Sequence, residues 1–376
     1  MDIKKCLRIL AFILVLVLTT SKAYAEESGY NYKTDMINYG ETIMTENIKK
    51  DYYDIFGEEF SINNFKKLSS EKIIKSIALS FKNKIKEPFK VIEKVILISL
   101  FLGIINLLSN KFGEKEINRV FNTITILCIS GTVIKPVINC VKYSSAAIKN
   151  CNTFISTLAP QLGAVLLTMG RPGAAEVYNV GVLGICNLSS AIINKIGIPL
   201  LGVFMSLSLI GLVTENKELS DLGNLFKKAD VWILNLSMFV FTSVLGLNTF
   251  IGAAGDNFAG KAIKHIVTEF VPIVGSAISE AYSTAAGCMK IIKSSIGTMG
   301  AVGIIFCFLP SLISAICWYF TCSISSLFLG LMGLSSQGKI FEICAMGIKI
   351  TLSFLSAYIV MTIIAVGMVI FISTGV

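Results

Sequence analysis

The sequence has few charged residues for its length. Aspartate, glutamate, lysine and arginine make up 15% of the 376 residues, whereas soluble proteins carry about 25%. Hydrophobic residues account for 54% of the chain, and the mean hydropathy is +0.73. This composition excludes an ordinary water-soluble globular domain and predicts a membrane protein.

The charges that are present are densest near the N-terminus. Residues 26–94 hold 12 basic and 12 acidic residues in 69 positions, whereas residues 95–376 hold 17 basic and 11 acidic residues in 282 positions. The net charge of +9 is therefore spread along the chain, and it forms no concentrated basic face with aromatic residues of the kind that binds nucleic acid. The pattern predicts a balanced polar segment followed by a long apolar domain.

Residues that carry catalytic or metal chemistry are scarce. His265 is the only histidine, and neither paired histidines nor a C-x-x-C pair occurs. The spacing from Gly255 to Lys261 matches a phosphate-binding loop, but Ala262 replaces the Ser or Thr that would hold magnesium. We therefore predict no catalytic, cofactor-binding or metal site, and a protein that is not an enzyme.

The ten cysteines do not indicate a disulfide framework. None lies in residues 26–90, and most of the others lie within or beside apolar runs. Free cysteine in such a setting usually acts as a small hydrophobic residue. We predict buried, unpaired thiols.

The N-terminus has the order of a secretory signal peptide. Three basic residues precede the apolar run 9–18, and an A-x-A cleavage site follows at 23–25. The apolar run is too short for a bilayer, which needs about 20 helical residues. We predict cleavage after residue 25, which places residues 26–90 outside the cytoplasm; an uncleaved anchor is the alternative.

Residues 26–90 form the predicted extracytoplasmic polar segment. Within it, apolar residues recur at helical spacing and indicate an amphipathic helix that ends near Pro88; they are Ile73, Ile74, Ile77, Ala78, Phe81 and Ile85. This helix would either meet a lipid surface or a partner, or pack its apolar face against residues 30–65. The sequence leaves both open.

Residues 91–376 are predicted to form an all-α, polytopic membrane bundle. Long apolar runs without period-2 alternation indicate spanning helices rather than barrel strands. We predict about seven spans, with six to nine possible: 95–110, 117–134, two from a tight hairpin broken near Lys195, Gly197 and Pro199 within 178–213, 231–251, 296–320 and 346–372. A further apolar stretch, 153–169, is expected to be broken or amphipathic, because it carries Pro160 and Gln161. The polar stretch 214–230 is predicted to be a loop.

The orientation of these spans does not follow from the charges. A cleaved signal peptide places the loop with Lys135, Lys142 and Lys149 outside, which opposes the positive-inside tendency. Either a segment is re-entrant or the tendency is weak in this chain.

The stretch 270–303 is the most informative region for function. It mixes polar and small residues with apolar ones, and ionisable residues at membrane depth usually face a bundle interior or a water-filled cavity. The candidate pathway-lining or interaction residues are Pro272, Gly275, Glu280, Lys290 and Lys293. The region would either line a translocation route or form a discontinuous helix at one, or it would form a loop and short interfacial helix outside the bilayer.

The same region carries a resemblance to a known family. The runs 253–256 and 270–275, followed by Gly287-Cys288, Ile292-Lys293 and Gly297, resemble the signature region of stage III sporulation protein AE. The order of signal peptide, short polar segment and polytopic domain is similar to that family as well. The resemblance is most specific over residues 196–310.

The resemblance implies a function in endospore formation. It implies a component of a channel or secretion-like apparatus in the multi-pass mother-cell membrane around the forespore, needed for forespore development and late forespore gene expression. The implied partners are the other stage III sporulation proteins AA to AH, with AA as the ATPase, and stage II sporulation protein Q across the intermembrane space. The alternative is a stand-alone secondary transporter that uses Glu280, Lys290 or Lys293.

Overall fold

The computed structural model describes residues 70–109, 115–168, 172–270 and 275–374, together with Glu46, Lys49, Tyr52, Tyr53 and Glu59. The side chains of residues 245–299 are outside this description. No strand occurs in the described ranges, so the all-α prediction is confirmed for them. The signal peptide lies outside the described residues.

Eight α-helices and one π-helical turn follow one another in the described part of the chain. In order they are α1 (Ser70–Lys84), α2 (Lys86–Ser109), α3 (Lys115–Thr168), α4 (Pro172–Ile192), the π-turn (Ile193–Gly197), α5 (Ile198–Val213), α6 (Lys217–Phe270), α7 (Gly275–Leu331) and α8 (Ser335–Thr374). Helices α3, α6 and α7 have 54, 54 and 57 residues. At 1.5 Å per residue each is about 80 Å long, well over the roughly 30 Å of a bilayer core.

Helices α7 and α8 form the centre of the bundle. They pack along each other, α3 lies against both, and α6 packs on α4 and α5. The apolar stretches of α7 and α8 are 78% and 72% buried, whereas those of α3 and of α4–α5 are 44% and 33% buried. The outer helices therefore present their second face to lipid, water or partners.

Four helical stretches in the described residues are long and apolar enough to cross a membrane: Thr123–Ala164, Tyr178–Val213, Gly303–Leu331 and Ser335–Val366. A polytopic helical protein is therefore supported, but the predicted seven spans are not confirmed. The predicted spans 95–110 and 231–251 lie in or beside α2 and within α6.

The predicted break after Lys135 is wrong. Helix α3 continues through Pro136 and Pro160 without interruption, because helical neighbours on both sides and packing against α7 and α8 outweigh one missing backbone donor at each proline. Lys135, Lys142 and Lys149 consequently lie on a helix and not in a loop.

The predicted hairpin within 178–213 is also wrong. The chain runs through Lys195 and Gly197 in a π-turn and continues directly into α5. Pro199 occupies the first turn of α5, and its missing N–H group leaves one carbonyl of the π-turn without its helical donor, which suits a local widening of the helix at this point. Lys195, Gly197 and Pro199 do mark an irregularity of the helix. The chain accommodates it as a π-turn, with about one more residue per turn than an α-helix, and does not reverse its direction.

The reversal of direction comes later, at residues 214–216. Asn216 accepts a hydrogen bond from the backbone N–H of Glu218 at 2.9 Å and so caps the start of α6. Glu215 takes the left-handed conformation with φ of 54°. Most of the predicted loop 214–230 is therefore the first part of α6.

The predicted amphipathic helix is present, but it ends earlier than expected. α1 ends at Lys84, and Pro88 lies in the first turn of α2. Among the described side chains of this helix Ser76 and Ser80 are buried, whereas Leu79 and Phe81 are 51% and 38% exposed. Of the predicted apolar face, Ala78 and Phe81 are therefore exposed, and Ile85, just after the helix, packs against the core.

Candidate functional site

A hydrogen-bonded polar network joins α3, α4 and α8, and it runs from the buried Tyr358 to the exposed Asn187. The Tyr358 hydroxyl on α8 donates to the side-chain oxygen of Asn152 on α3 at 3.0 Å, and lies 3.4 Å from the backbone oxygen of Cys186. Asn152 in turn donates to the side-chain oxygen of Asn187 on α4 at 2.7 Å. One buried tyrosine thus ties three helices together.

A second part of the network lies at the π-turn. Ser145 on α3 donates to the side-chain oxygen of Asn194 at 2.5 Å. Asn194 donates to the backbone oxygen of Ser190 at 3.0 Å. On the other side of α3, Ser311 of α7 donates to the buried hydroxyl of Ser144 at 3.1 Å.

The spacing of these residues explains why they meet. Ser145 and Asn152 are seven residues apart on α3, and Asn187 and Asn194 are seven apart on α4 and the π-turn. Seven residues are close to two helical turns, so each pair lies on one face. In the antiparallel arrangement of α3 and α4, the two faces pair as Ser145 with Asn194 and Asn152 with Asn187.

Every residue of this network lies within one of the four apolar stretches. Interhelical hydrogen bonds in membrane proteins contribute about 0.6 kcal/mol each on average, so their effect on stability is modest. They fix the register of neighbouring helices. The arrangement orients helices and carries no nucleophile–base pair.

A cavity of about 500 Å³ lies where the α5–α6 turn meets the start of α8. Its floor is apolar, with Phe204 and Met346, and its rim carries Glu215, Lys217, Lys339, Glu342 and several amide and hydroxyl groups. Charges of both signs at an open rim are typical of a surface site, and they do not select one ligand.

Asp230 on α6 is the one described carboxylate that is fully buried. Its side chain has 0% exposure, and neither oxygen has a hydrogen-bond partner among the described residues. Burial disfavours the charged form and raises the pKa of Asp230 to about 7. The group lies outside the four apolar stretches and titrates near neutral pH.

The predicted site residues lie in a different part of the chain. Gly275, Glu280, Lys290 and Lys293 belong to the first half of α7, which is continuous from Gly275 onward and not a loop or a broken helix. Their side chains lie outside the described residues, as does Pro272 altogether. Their roles in pathway lining or interaction stay a prediction.

The sequence interpretation missed the Asn152–Asn187–Tyr358 network. The available signal is the seven-residue spacing of Ser145 with Asn152 and of Asn187 with Asn194, which places each pair on one face of its helix. The prediction of buried, unpaired thiols is confirmed for most of the cysteines whose side chains are described. The eight cysteines whose side chains the structure describes are free, and all but Cys128 are buried. The run from Gly255 to Ala262 lies within α6, which is no setting for a phosphate-binding loop.

Comparison with known proteins settles the family. The sequence model of stage III sporulation protein AE matches residues 55–373, which is most of the chain. The chain belongs to the stage III sporulation protein AE family. It is similar to stage III sporulation protein AE of Bacillus subtilis (strain 168), with 25% identity over 296 residues that cover 77% of this chain and 72% of that protein. No solved structure matches it.

Proposed function

We propose that this chain is a non-enzymatic membrane component of a channel or secretion-like apparatus between mother cell and forespore. In this proposal it lies as a multi-pass protein in the mother-cell membrane around the forespore. There it supports forespore development and late forespore gene expression. Membership of the stage III sporulation protein AE family is the observation that carries the proposal.

The architecture supports a structural role in the membrane. Four apolar stretches suit a bilayer, and the polar network joins three of them in a fixed register. The described residues of this network orient helices and contain no arrangement for bond making or breaking. Energy for any transport would then come from a partner, and we propose the stage III sporulation protein AA as that ATPase.

The proposed partners are the stage III sporulation proteins AA to AH and, across the intermembrane space, stage II sporulation protein Q. Helix α1 is the proposed contact, since Leu79 and Phe81 are exposed on it. Deleting residues 26–90 behind an intact signal should abolish recovery of partners. The double variant Leu79→Ser with Phe81→Ser is sharper, because it keeps the buried Ser76 and Ser80. Lys82→Ser, exposed on the same helix, is the control and should leave recovery unchanged.

The function is tested by deleting the gene in its own host and imaging sporulation with a late forespore-specific reporter. We expect engulfment to finish while the reporter stays dark, and the full chain supplied in trans should restore the signal. Normal, heat-resistant spores in the deletion strain would overturn the proposal.

A stand-alone secondary transporter is the second candidate. The buried, unpaired Asp230 favours it, since a carboxyl group that titrates near pH 7 suits proton coupling. Glu280→Gln and Asp230→Asn should each abolish coupled transport if the chain is a transporter. A structural component should tolerate both changes and still restore the reporter.

A further inference from the structure

Helix α3 carries a line of lysines on its exposed face. Lys135, Lys142 and Lys149 are exposed and seven residues apart, so they follow one another at intervals of about 10 Å. Polar or small residues occupy most of the turns between and after them, with Ile138, 42% exposed, between Lys135 and Lys142. The lysine stripe is defined by the exposed residues Lys135, Asn139, Lys142, Ala146, Lys149, Thr153 and Thr157.

The opposite face of the same turns is buried in the bundle. Val137, Ile148 and Phe154 are at most 1% exposed. Ser144 and Asn152, between the lysines and beyond them, bond to α7 and α8 within their apolar stretches. The stripe thus runs alongside the parts of the bundle that suit a bilayer.

Contact with lipid is unfavourable for the lysine stripe. A lysine at the centre of a membrane helix costs about 2.5–3.5 kcal/mol by insertion scales, and the stripe holds three. The π-turn and α5 show the contrasting pattern, because Ile196, Val203 and Ile210 are exposed at the same seven-residue spacing. The side with α5 is therefore suited to lipid. On α3 the part from Lys135 to Thr157 is suited to water, whereas the earlier turns expose Val120, Ile124 and Leu127.

The charge of the stripe has one sign. Residues 117–175 contain no aspartate or glutamate, and Lys84 of α1 lies 4.9 Å from the ring centre of Tyr143, beside Lys142. Two such stripes repel each other when they face directly. Copies of the chain that turn this face inward must therefore stay apart, with water and anions between them.

We propose that the lysine stripe lines a water-filled path for anionic solutes, enclosed by several copies of this chain. The proposal rests on the membrane role proposed above and adds the wall of the path and the class of solute. It does not depend on the sporulation partners.

Thiol labelling in intact membranes tests the lining. In the full chain with Cys128→Ala, Ala146→Cys places a thiol between Lys142 and Lys149, its neighbours on the helix face. We expect rapid labelling by a sulfonate-bearing, membrane-impermeant thiol reagent. Two nearby positive charges should favour it over a trimethylammonium-bearing reagent by about fourfold. Lys142→Gln with Lys149→Gln should remove that preference.

The matched control is Val203→Cys on the apolar line of α5, within the apolar stretch Tyr178–Val213. It should resist both charged reagents, and the parent without an added thiol gives the background. Labelling at Ala146→Cys as slow as at Val203→Cys would overturn the lining. Equal rates with the two reagents would overturn the selectivity for anions.

Conductance of the purified full chain in planar bilayers tests the enclosure by copies. In a KCl gradient the reversal potential should show a preference for chloride over potassium. Changing Lys135, Lys142 and Lys149 together to glutamate should turn this into a preference for potassium. The control Lys228→Glu on α6 should keep the preference for chloride. Absence of any current would overturn enclosure by this chain alone. A lysine-stripe variant that loses anion-selective labelling and chloride preference but still restores the forespore reporter would leave the proposed sporulation function intact. Normal sporulation in the deletion strain would instead overturn the sporulation function and leave the anion path standing.

Discussion

The hydroxyl group of Tyr358 donates a hydrogen bond to the side chain of Asn152 across 206 residues of sequence, with 3.0 Å between the two oxygen atoms. Tyr358 is fully buried, and its ring meets Phe308 with the centres 6.1 Å apart. Removing only the hydroxyl therefore tests the network without creating a large cavity.

Tyr358→Phe should lower the free energy of unfolding by about 0.6–1.7 kcal/mol, the range for interhelical hydrogen bonds in membrane proteins. Asn152→Ala should lower it further, because Asn187 then loses its donor as well. Thermal unfolding in detergent, followed by circular dichroism, measures both. The double variant should show coupling, and Tyr319→Phe, which keeps its ring contact with Phe320, is the control. Additive effects of the two changes would contradict a direct bond.

Gly211→Ala should destabilise the α5–α6 hairpin by about 1–3 kcal/mol. A Cβ atom at Gly211 would lie 2.8 Å from the backbone nitrogen of Ser220 and 3.1 Å from the backbone oxygen of Asn216, so the backbone must shift. Gly202→Ala on the same helix is the matched control, because its Cβ would have no atom within 4 Å. It should be neutral or stabilising by up to about 1 kcal/mol. Equal unfolding temperatures for the two variants would contradict the close approach.

Stability should fall as the pH rises through the pKa of Asp230. That pKa is about 7 in the folded chain and 3.8 in the reference state. The stabilising contribution of the protonated form is therefore complete below pH 4 and is lost as the pH passes 7.

Asp230→Asn should remove this dependence, raising the free energy of unfolding at pH 8 by about 2–4 kcal/mol with little change at pH 4. Unfolding midpoints across that range are the measurement. Asp221→Asn, exposed on the same helix, should leave the pH profile unchanged. A profile that does not differ between the parent and Asp230→Asn would show that this carboxyl group is solvated.

Tyr52 should anchor the segment before α1 to the bundle. Its side chain is fully buried, with its ring 5.1 Å from that of Phe306 in an edge-to-face contact, whereas Tyr53 is 55% exposed. Tyr52→Ala should increase tryptic cleavage after Lys49 several-fold, and Tyr53→Ala should not. Equal cleavage of the two variants would contradict anchoring by Tyr52.

Composition alone was enough to predict the helical class and the apolar character of the fold. Helix limits were less predictable, because prolines and charges within an apolar run resemble helix ends in the sequence. Pro136 continues a helix that packs on both sides, and Lys195 lies in a π-turn instead of a hairpin. Local signals mark where backbone hydrogen bonding changes, but packing decides whether the chain reverses there.

The candidate site was less predictable than the fold. Asn152, Asn187 and Tyr358 are unremarkable in sequence, and they become a network only through the antiparallel register of α3 and α4. No single segment carries that register. Glu280, Lys290 and Lys293 were selected because they stand out within one segment, and their function remains a prediction.

The length of α3 has a mechanical consequence. A stiff rod of about 80 Å is more than twice as long as the bilayer core is thick, so it acts as a lever. A tilt of about 10° about one end moves the other end by about 14 Å at this length. A small movement of the bundle at one surface would therefore become a large displacement at the far end of α3.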